Sequence, residues 1–166
     1  MKNTAIFYSS SSGDTKEVAN EISSQLDQIK KFDIKITTSD FIRDYDNLIF
    51  GISTYNRGTM QNEWEKIWED FSKIDFNGKK VAIFGLGDQK NYPNNFVDAM
   101  GILYEQLKKS NAEMIGFTST KSYDFNSSKA VVEDQFVGLA IDLINQKSLT
   151  LKRVKKWVEQ LKNDFN

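Results

Sequence analysis

Ala5-Ile6-Phe7-Tyr8-Ser9-Ser10-Ser11-Ser12-Gly13-Asp14-Thr15 is an apolar run that breaks into four hydroxyls and a glycine. Val18, Ala19, Ile22, Leu26 and Ile29 then recur at helical spacing, so the stretch reads as a strand, a tight turn and a helix start. Such a turn suits a phosphate. A helix amino terminus leaves backbone N–H groups without intrahelical partners and carries the positive end of the dipole, so an anion can be held there without Lys or Arg. Ser10, Ser12 and Thr15 add hydroxyl donors, and Gly13 lets the backbone approach closely. Taken alone, such a turn is more often an ordinary Ser/Thr helix cap, a balance that the rest of the chain shifts. It lacks the Lys of the NTPase phosphate loop and the spaced glycines of a dinucleotide turn, so neither of those classes fits.

Outward from this stretch, short β-rich runs alternate with helical patterns, the signature of a parallel sheet covered on both faces. The expected strands are Ala5 to Tyr8, Ile34 to Thr37, Leu48 to Ile52, Val81 to Gly85 and a last one beginning near Met114. Buried helix faces are expected from Trp64, Ile67, Trp68 and Phe71, from Phe96, Met100, Leu103 and Leu107, and from Val154, Trp157, Val158, Leu161 and Phe165. The fold class is therefore α/β and doubly wound. Neither a repeat nor a linker interrupts the chain, and its 166 residues predict one domain spanning 1–166.

Composition narrows the chemistry. With Cys 0 and His 0, disulfides, thiolate nucleophiles, iron–sulfur ligation, a Ser-His-Asp triad and imidazole metal sites are excluded. Any reaction must come from a cofactor, and neither catalytic residues nor a metal site is expected. The net charge of −1 gives no nucleic-acid footprint, although Lys147, Lys152, Arg153, Lys155, Lys156 and Lys162 crowd the last segment, where a solvated helix face explains them best. Lys2 and Asn3 lead straight into the first strand with no signal-peptide pattern, and no apolar stretch reaches the length of a membrane span. The expectation is a cytoplasmic protein with no membrane partner.

In a doubly wound sheet, ligands bind beyond the carboxyl ends of the strands. Three loops there have unusual composition: the Ser turn, Ser53 to Thr59, and Gly85 to Asn95. Both longer loops carry a Tyr among glycines and amides, which stacking on a flat ligand explains better than core packing.

These loops carry a family likeness. Ser10-Ser11-Ser12-Gly13-Asp14-Thr15 resembles the T-x-T-G-x-T phosphate loop of flavodoxins, and Leu48 through Trp64 is similar to their L-I-x-G-x-P-T-W-x-x-G-x-L-Q-x-x-W pattern. Val81 to Ala99 resembles the family's second isoalloxazine loop. Beyond Gly116, Ser119 to Ala130 followed by Gln135 to Asp142 resembles the insertion that splits the last strand in long-chain members. The resemblance implies a five-stranded parallel sheet of order 2-1-3-4-5 with its last strand interrupted, and a non-covalently bound FMN used as a low-potential one-electron carrier. It implies that Ser10, Ser11, Ser12, Gly13, Asp14 and Thr15 hold the phosphate. Tyr55 and Tyr92 would sandwich the ring, and Ser53, Thr54, Asn56, Arg57, Gly58, Leu86, Gly87, Asp88 and Asn95 would complete the site. It further implies that the Asn56–Arg57 peptide beside the flavin N5 turns over on reduction, with Gly58 permitting the change. Implied partners are redox enzymes acting as donors and acceptors, such as flavodoxin/ferredoxin reductases or oxoacid oxidoreductases, in transient complexes with a monomer.

The chain departs from the family pattern at Tyr55 in place of Trp, Ser53 in place of Pro, and Leu143 and Ile144 in place of acidic residues before Asn145 and Gln146. Two alternatives share the fold. An FMN-dependent NAD(P)H or quinone reductase would need a substrate pocket over the flavin. A receiver-type phosphoacceptor domain would need an acidic pocket after the first strand and an Asp after the third, where this chain has Ser and Ser53-Thr54.

Overall fold

A computed structural model describes residues 3–166. The strands in chain order are β1 (Thr4–Tyr8), β2 (Lys30–Asp33), β3 (Asn47–Tyr55), β4 (Thr59–Met60), β5 (Lys80–Leu86), β6 (Glu113–Met114), β7 (Thr118–Ser119), β8 (Val131–Val132), β9 (Gln135–Phe136) and β10 (Leu139–Ile141). The helices are α1 (Asp14–Ser24), α2 (Asn62–Ser72), α3 (Asp98–Lys109) and α4 (Thr150–Asp164).

The parallel sheet runs β2-β1-β3-β5-β10. Its outer position beside β5 is filled twice: β6 pairs with Lys80 and Val81, and β10 pairs with Phe84 to Leu86. The interrupted strand is therefore real, and the residues between carry a small antiparallel sheet of order β7-β9-β8. The order expected from the resemblance holds, with β6 and β10 together as the fifth position. A short antiparallel hairpin joins β3 to β4.

Period-two alternation sends side chains to two cores, one on each face. Ala5, Phe7, Leu48, Phe50, Val81 and Ile83 point to the side covered by α2 and α3. Ile6, Tyr8, Ile49, Ala82 and Phe84 point to the side covered by α1 and α4. On the first face Phe50 meets Trp64 and Phe71 edge-on at centroid distances of 5.7 and 5.4 Å, geometry that favours aromatic pairs beyond their buried area. Trp64 donates its indole N–H to the Gly51 carbonyl at 3.1 Å, so this buried polar atom is satisfied and α2 is locked to the central strand.

Three expectations shift. The second strand is Lys30–Asp33, not Ile34 to Thr37. The Asp33 carboxylate accepts from the Lys35 N–H at 2.9 Å, and this local turn ends the ladder just where the apolar pattern begins. An edge strand does not need an apolar run, and exposed Lys30 and Lys31 guard it. Helix α1 stops at Ser24, short of Leu26 and Ile29, because Ser23 and Ser24 turn their hydroxyls back onto the Asn20 and Glu21 carbonyls. Phe96 is fully buried but precedes α3, whose preceding residue Val97 is left-handed at φ 50°.

Candidate functional site

The Ser turn leaves β1 and enters α1 through Gly13, which is left-handed at φ 96° with no neighbour within 4 Å of where a Cβ would stand. A side chain there would be strained by conformation, not by crowding. No side chain caps the helix, so the ordinary hydroxyl-cap reading of the turn is not what the fold adopts. The N–H groups of Ser12 through Lys16 find no acceptor among the described residues. Five consecutive open donors at a helix start form an anion cradle. The Ser10 hydroxyl oxygen is shielded from solvent and also lacks a partner.

The rest of the turn is held from behind by Gln61, which is fully buried between β4 and α2. With its amide oriented to satisfy both ends, Oε1 accepts from the Ser11 N–H at 2.9 Å and the Ser9 hydroxyl at 3.1 Å, while Nε2 donates to the Ser9 carbonyl at 3.1 Å. Ser11 is therefore spent on shaping the loop. Thr15, expected to offer its hydroxyl to the phosphate, is buried and lies 2.8 Å from the Ser53 hydroxyl. That contact ties the start of α1 to the end of β3, so Ser53 fastens the loop entry. Ser12 donates to the Asp14 carboxylate at 3.0 Å, and must turn away from it to reach a phosphate.

Beyond the turn, Ser12, Asp14, Ser53, Thr54, Tyr55, Asn56, Leu86, Gly87, Asp88, Tyr92, Leu143 and Ile144 surround a cleft of about 260 Å³. Tyr55 is half-buried, Tyr92 is 41 % exposed and Ile144 70 %, a display of large apolar groups around the cleft. Ser10, Ser11, Gly13 and Thr15 stand behind this lining in the loop. Arg57 is exposed and outside it. Asn56 is left-handed at φ 49° and Gly58 at φ 92°. A Cβ on Gly58 would fall 2.6 Å from the Asp98 carboxylate, so the hairpin tip packs directly on α3. Asn95 does not reach the cleft; it donates to Asp98 at 3.0 Å and supports that contact. Thr54 accepts from the Ala99 N–H at 3.0 Å, fixing the same hairpin from its other side.

A buried carboxylate network joins the 85–95 loop to the turn after β10. Asp142 is fully buried and accepts from the Gln89 N–H and side chain at 3.1 and 2.8 Å, and from the Ile144 and Asn145 N–H groups at 3.1 and 2.9 Å. Asn145 bridges, donating to Asp88 at 2.8 Å and to Asp142 at 2.9 Å. Burial by itself would raise the Asp88 pKa, but donors from Asn91, Asn145 and Lys90 outweigh it and hold the carboxyl below its usual range. Asp142 and Gln61 were missed by the sequence reading. A polar residue directly after the Leu139 to Ile141 run, at the carboxyl end of a strand, was the signal for the first.

Residues 6–157 match the family model for flavodoxin. The chain belongs to the flavodoxin family. The flavodoxin of Synechococcus elongatus is 43 % identical over 99 % of both chains, and flavodoxin 1 of Escherichia coli is 38 % identical over 100 % of this chain and 96 % of that one. The crystal structure of Fusobacterium nucleatum flavodoxin bound to flavin mononucleotide superposes over the whole of both chains with a TM-score of 0.96 at 33 % identity. As in the sequence reading, no helix among the described residues is long and apolar enough to cross a membrane.

Proposed function

We propose that the cleft binds FMN and that this flavodoxin carries electrons one at a time between redox proteins, with no substrate turnover of its own. The observation that carries the reading is the row of open N–H groups from Ser12 to Lys16, with the unpartnered Ser10 hydroxyl beside it, opening onto a cleft flanked by Tyr55 and Tyr92. These features fit a phosphate at one end and a flat ring at the other.

FMN, when bound, supplies reversible one-electron chemistry, and the protein's part is to bind, orient and bias it. The Ser turn would hold the phosphate through backbone donors. Tyr92, Tyr55, Leu143 and Ile144 would pack the ring and exclude water from its faces. Asn56 and Gly58 are left-handed on either side of Arg57, and the Asn56–Arg57 peptide would reorient beside the ring, while Thr54 and Asp98 fix the hairpin on either side. Donors and acceptors of the flavodoxin/ferredoxin reductase or oxoacid oxidoreductase kind, met in transient complexes by a cytoplasmic monomer, belong to this proposal. The receiver alternative lacks its acids: Ser9 follows β1, and Ser53, Thr54 and Tyr55 form the last residues of β3.

Titration of the apoprotein with FMN and with riboflavin tests the phosphate assignment. Several charge-assisted hydrogen bonds, each worth about 1.5–3 kcal/mol, predict at least about a hundredfold preference for FMN. Equal affinity for the two would overturn it.

A further inference from the structure

A second cavity, also of about 260 Å³, lies between the inserted segment and α4. Phe117, Leu139 and Trp157 form apolar wall, and Lys121, Arg153 and Lys156 bring three cations to it. The nearest-neighbour chemistry of those cations is unusual. The ion pairs among the described residues are those of Arg43 with Asp40 and of Lys73 with Glu69 and Asp70, so no carboxylate stands within 4 Å of any of the three.

Arg153 is held in place. Its guanidinium lies 3.9 Å from the centroid of the Tyr123 ring and reaches the Ser122 carbonyl at 3.4 Å. Tyr123 in turn donates to the Ala140 carbonyl at 2.6 Å, and burial pushes its phenol up to about 12, so that donor persists across the ordinary pH range. The floor is equally fixed, since Trp157 donates to the Gly116 carbonyl at 2.8 Å and Gln160 to the Phe117 carbonyl at 3.2 Å.

Charge placement on α4 adds a second argument. Its first turn has no acidic residue and contains Lys152 and Arg153, cations set against the positive end of the helix dipole. A solvated face explains Lys152 and Lys155 on the outer side. It does not explain why Arg153 and Lys156 meet Lys121 from another segment at a concave apolar wall. All three line one cavity, so an anion bound there would face three cations from two segments.

We propose that this cavity binds a small organic anion with a flat apolar body, in chemical class an aromatic carboxylate. Its carboxylate is held by Lys121, Arg153 and Lys156, and its ring lies against half-buried Phe117, above the buried Leu139 and Trp157. The three cations and the adjoining apolar side chains suit a single ring bearing one carboxylate. Its lining shares no residue with that of the FMN cleft.

The test uses FMN-saturated protein, benzoate as the probe and benzamide as its neutral isostere, followed by NMR of the Trp157 indole N–H. Benzoate is expected to shift that signal saturably in the millimolar range, at least about tenfold more tightly than benzamide. Lys156→Gln and Lys121→Gln, both at exposed positions, should each weaken benzoate about fivefold and leave the FMN spectrum unchanged. A linear, unsaturated response, equal affinity for benzamide, or unchanged binding in both variants would overturn the proposal. Failure of FMN to bind would bear on the cleft alone, because the indole signal reads this cavity directly.

Discussion

Among the described residues Asn145 is the one side chain that donates to both Asp88 and Asp142, and replacing it tests whether that network clamps the cleft loops. Asn145→Ala removes donors from Asp88 at 2.8 Å and from Asp142 at 2.9 Å. Hydrogen bonds to charged groups are worth about 1.5–3 kcal/mol each, which sets an upper sum of about 3–6 kcal/mol. The realised loss is smaller. Asp142 keeps four donors from Gln89, Ile144 and the Asn145 backbone, and Asp88 keeps those of Lys90 and Asn91, so neither carboxylate is orphaned. About 2–3 kcal/mol is expected from urea unfolding of the apoprotein at pH 7.

Asn145→Asp sharpens the test through its pH dependence. In the wild type the Asp88 carboxyl lies below its usual range, so its contribution is present above the unfolded pKa of about 3.9 and is lost as pH falls toward the lower folded value. A third carboxylate in the bridge has the opposite sign: its folded pKa is raised by Asp88 and Asp142, so stability is lost as pH rises through that raised value. Asn145→Asp should therefore gain stability relative to wild type on going from pH 7 to pH 5. A loss under 0.5 kcal/mol for Asn145→Ala, on the order of an ordinary surface change, together with parallel pH profiles for Asn145→Asp and wild type, would refute the clamp.

Ser10→Ala should weaken FMN by about 1–2 kcal/mol and leave riboflavin unchanged, because the buried hydroxyl has no partner in the protein and would be free for the proposed phosphate; calorimetric titration reads both. Tyr92→Ala should weaken FMN by about 1–3 kcal/mol and alter the visible spectrum, and an unchanged spectrum and affinity would remove Tyr92 from the ring's face. Arg57→Glu should make the second one-electron potential more negative by on the order of tens of millivolts at low salt, fading as salt rises, since Arg57 is exposed and screened. Spectroelectrochemistry checks it, and a positive shift would count against a field from this residue.

The alternation of apolar runs with helical spacing was enough for the parallel sheet, since each central strand must bury both faces and each helix one. The site was legible as three loops because composition there departs from anything a core requires: four serines, a Tyr among amides, a Tyr beside Pro93. Roles within those loops were less legible. Ser10, Ser11, Ser12 and Thr15 look alike in sequence, yet one hydroxyl is unpartnered, one is held by Gln61, one leans on Asp14 and one is tied to Ser53. A hydroxyl's task depends on what the rest of the chain places within 3 Å, and Gln61 and Ser53 arrive from 38 or more residues away.

The split last strand came only from the family resemblance, whereas the residues themselves determined the layer architecture, the strand-to-helix turn at Gly13 and the absence of thiol and imidazole chemistry. Those follow from local periodicity, backbone conformation and residue inventory, which act over a few neighbours. Only tertiary structure decided the true extent of β2, the inward turn of Thr15, the Asp88–Asn145–Asp142 bridge and the convergence of Lys121 with Arg153 and Lys156. Each depends on which distant segments the two cores press together, and on competition among polar groups for partners once water is excluded.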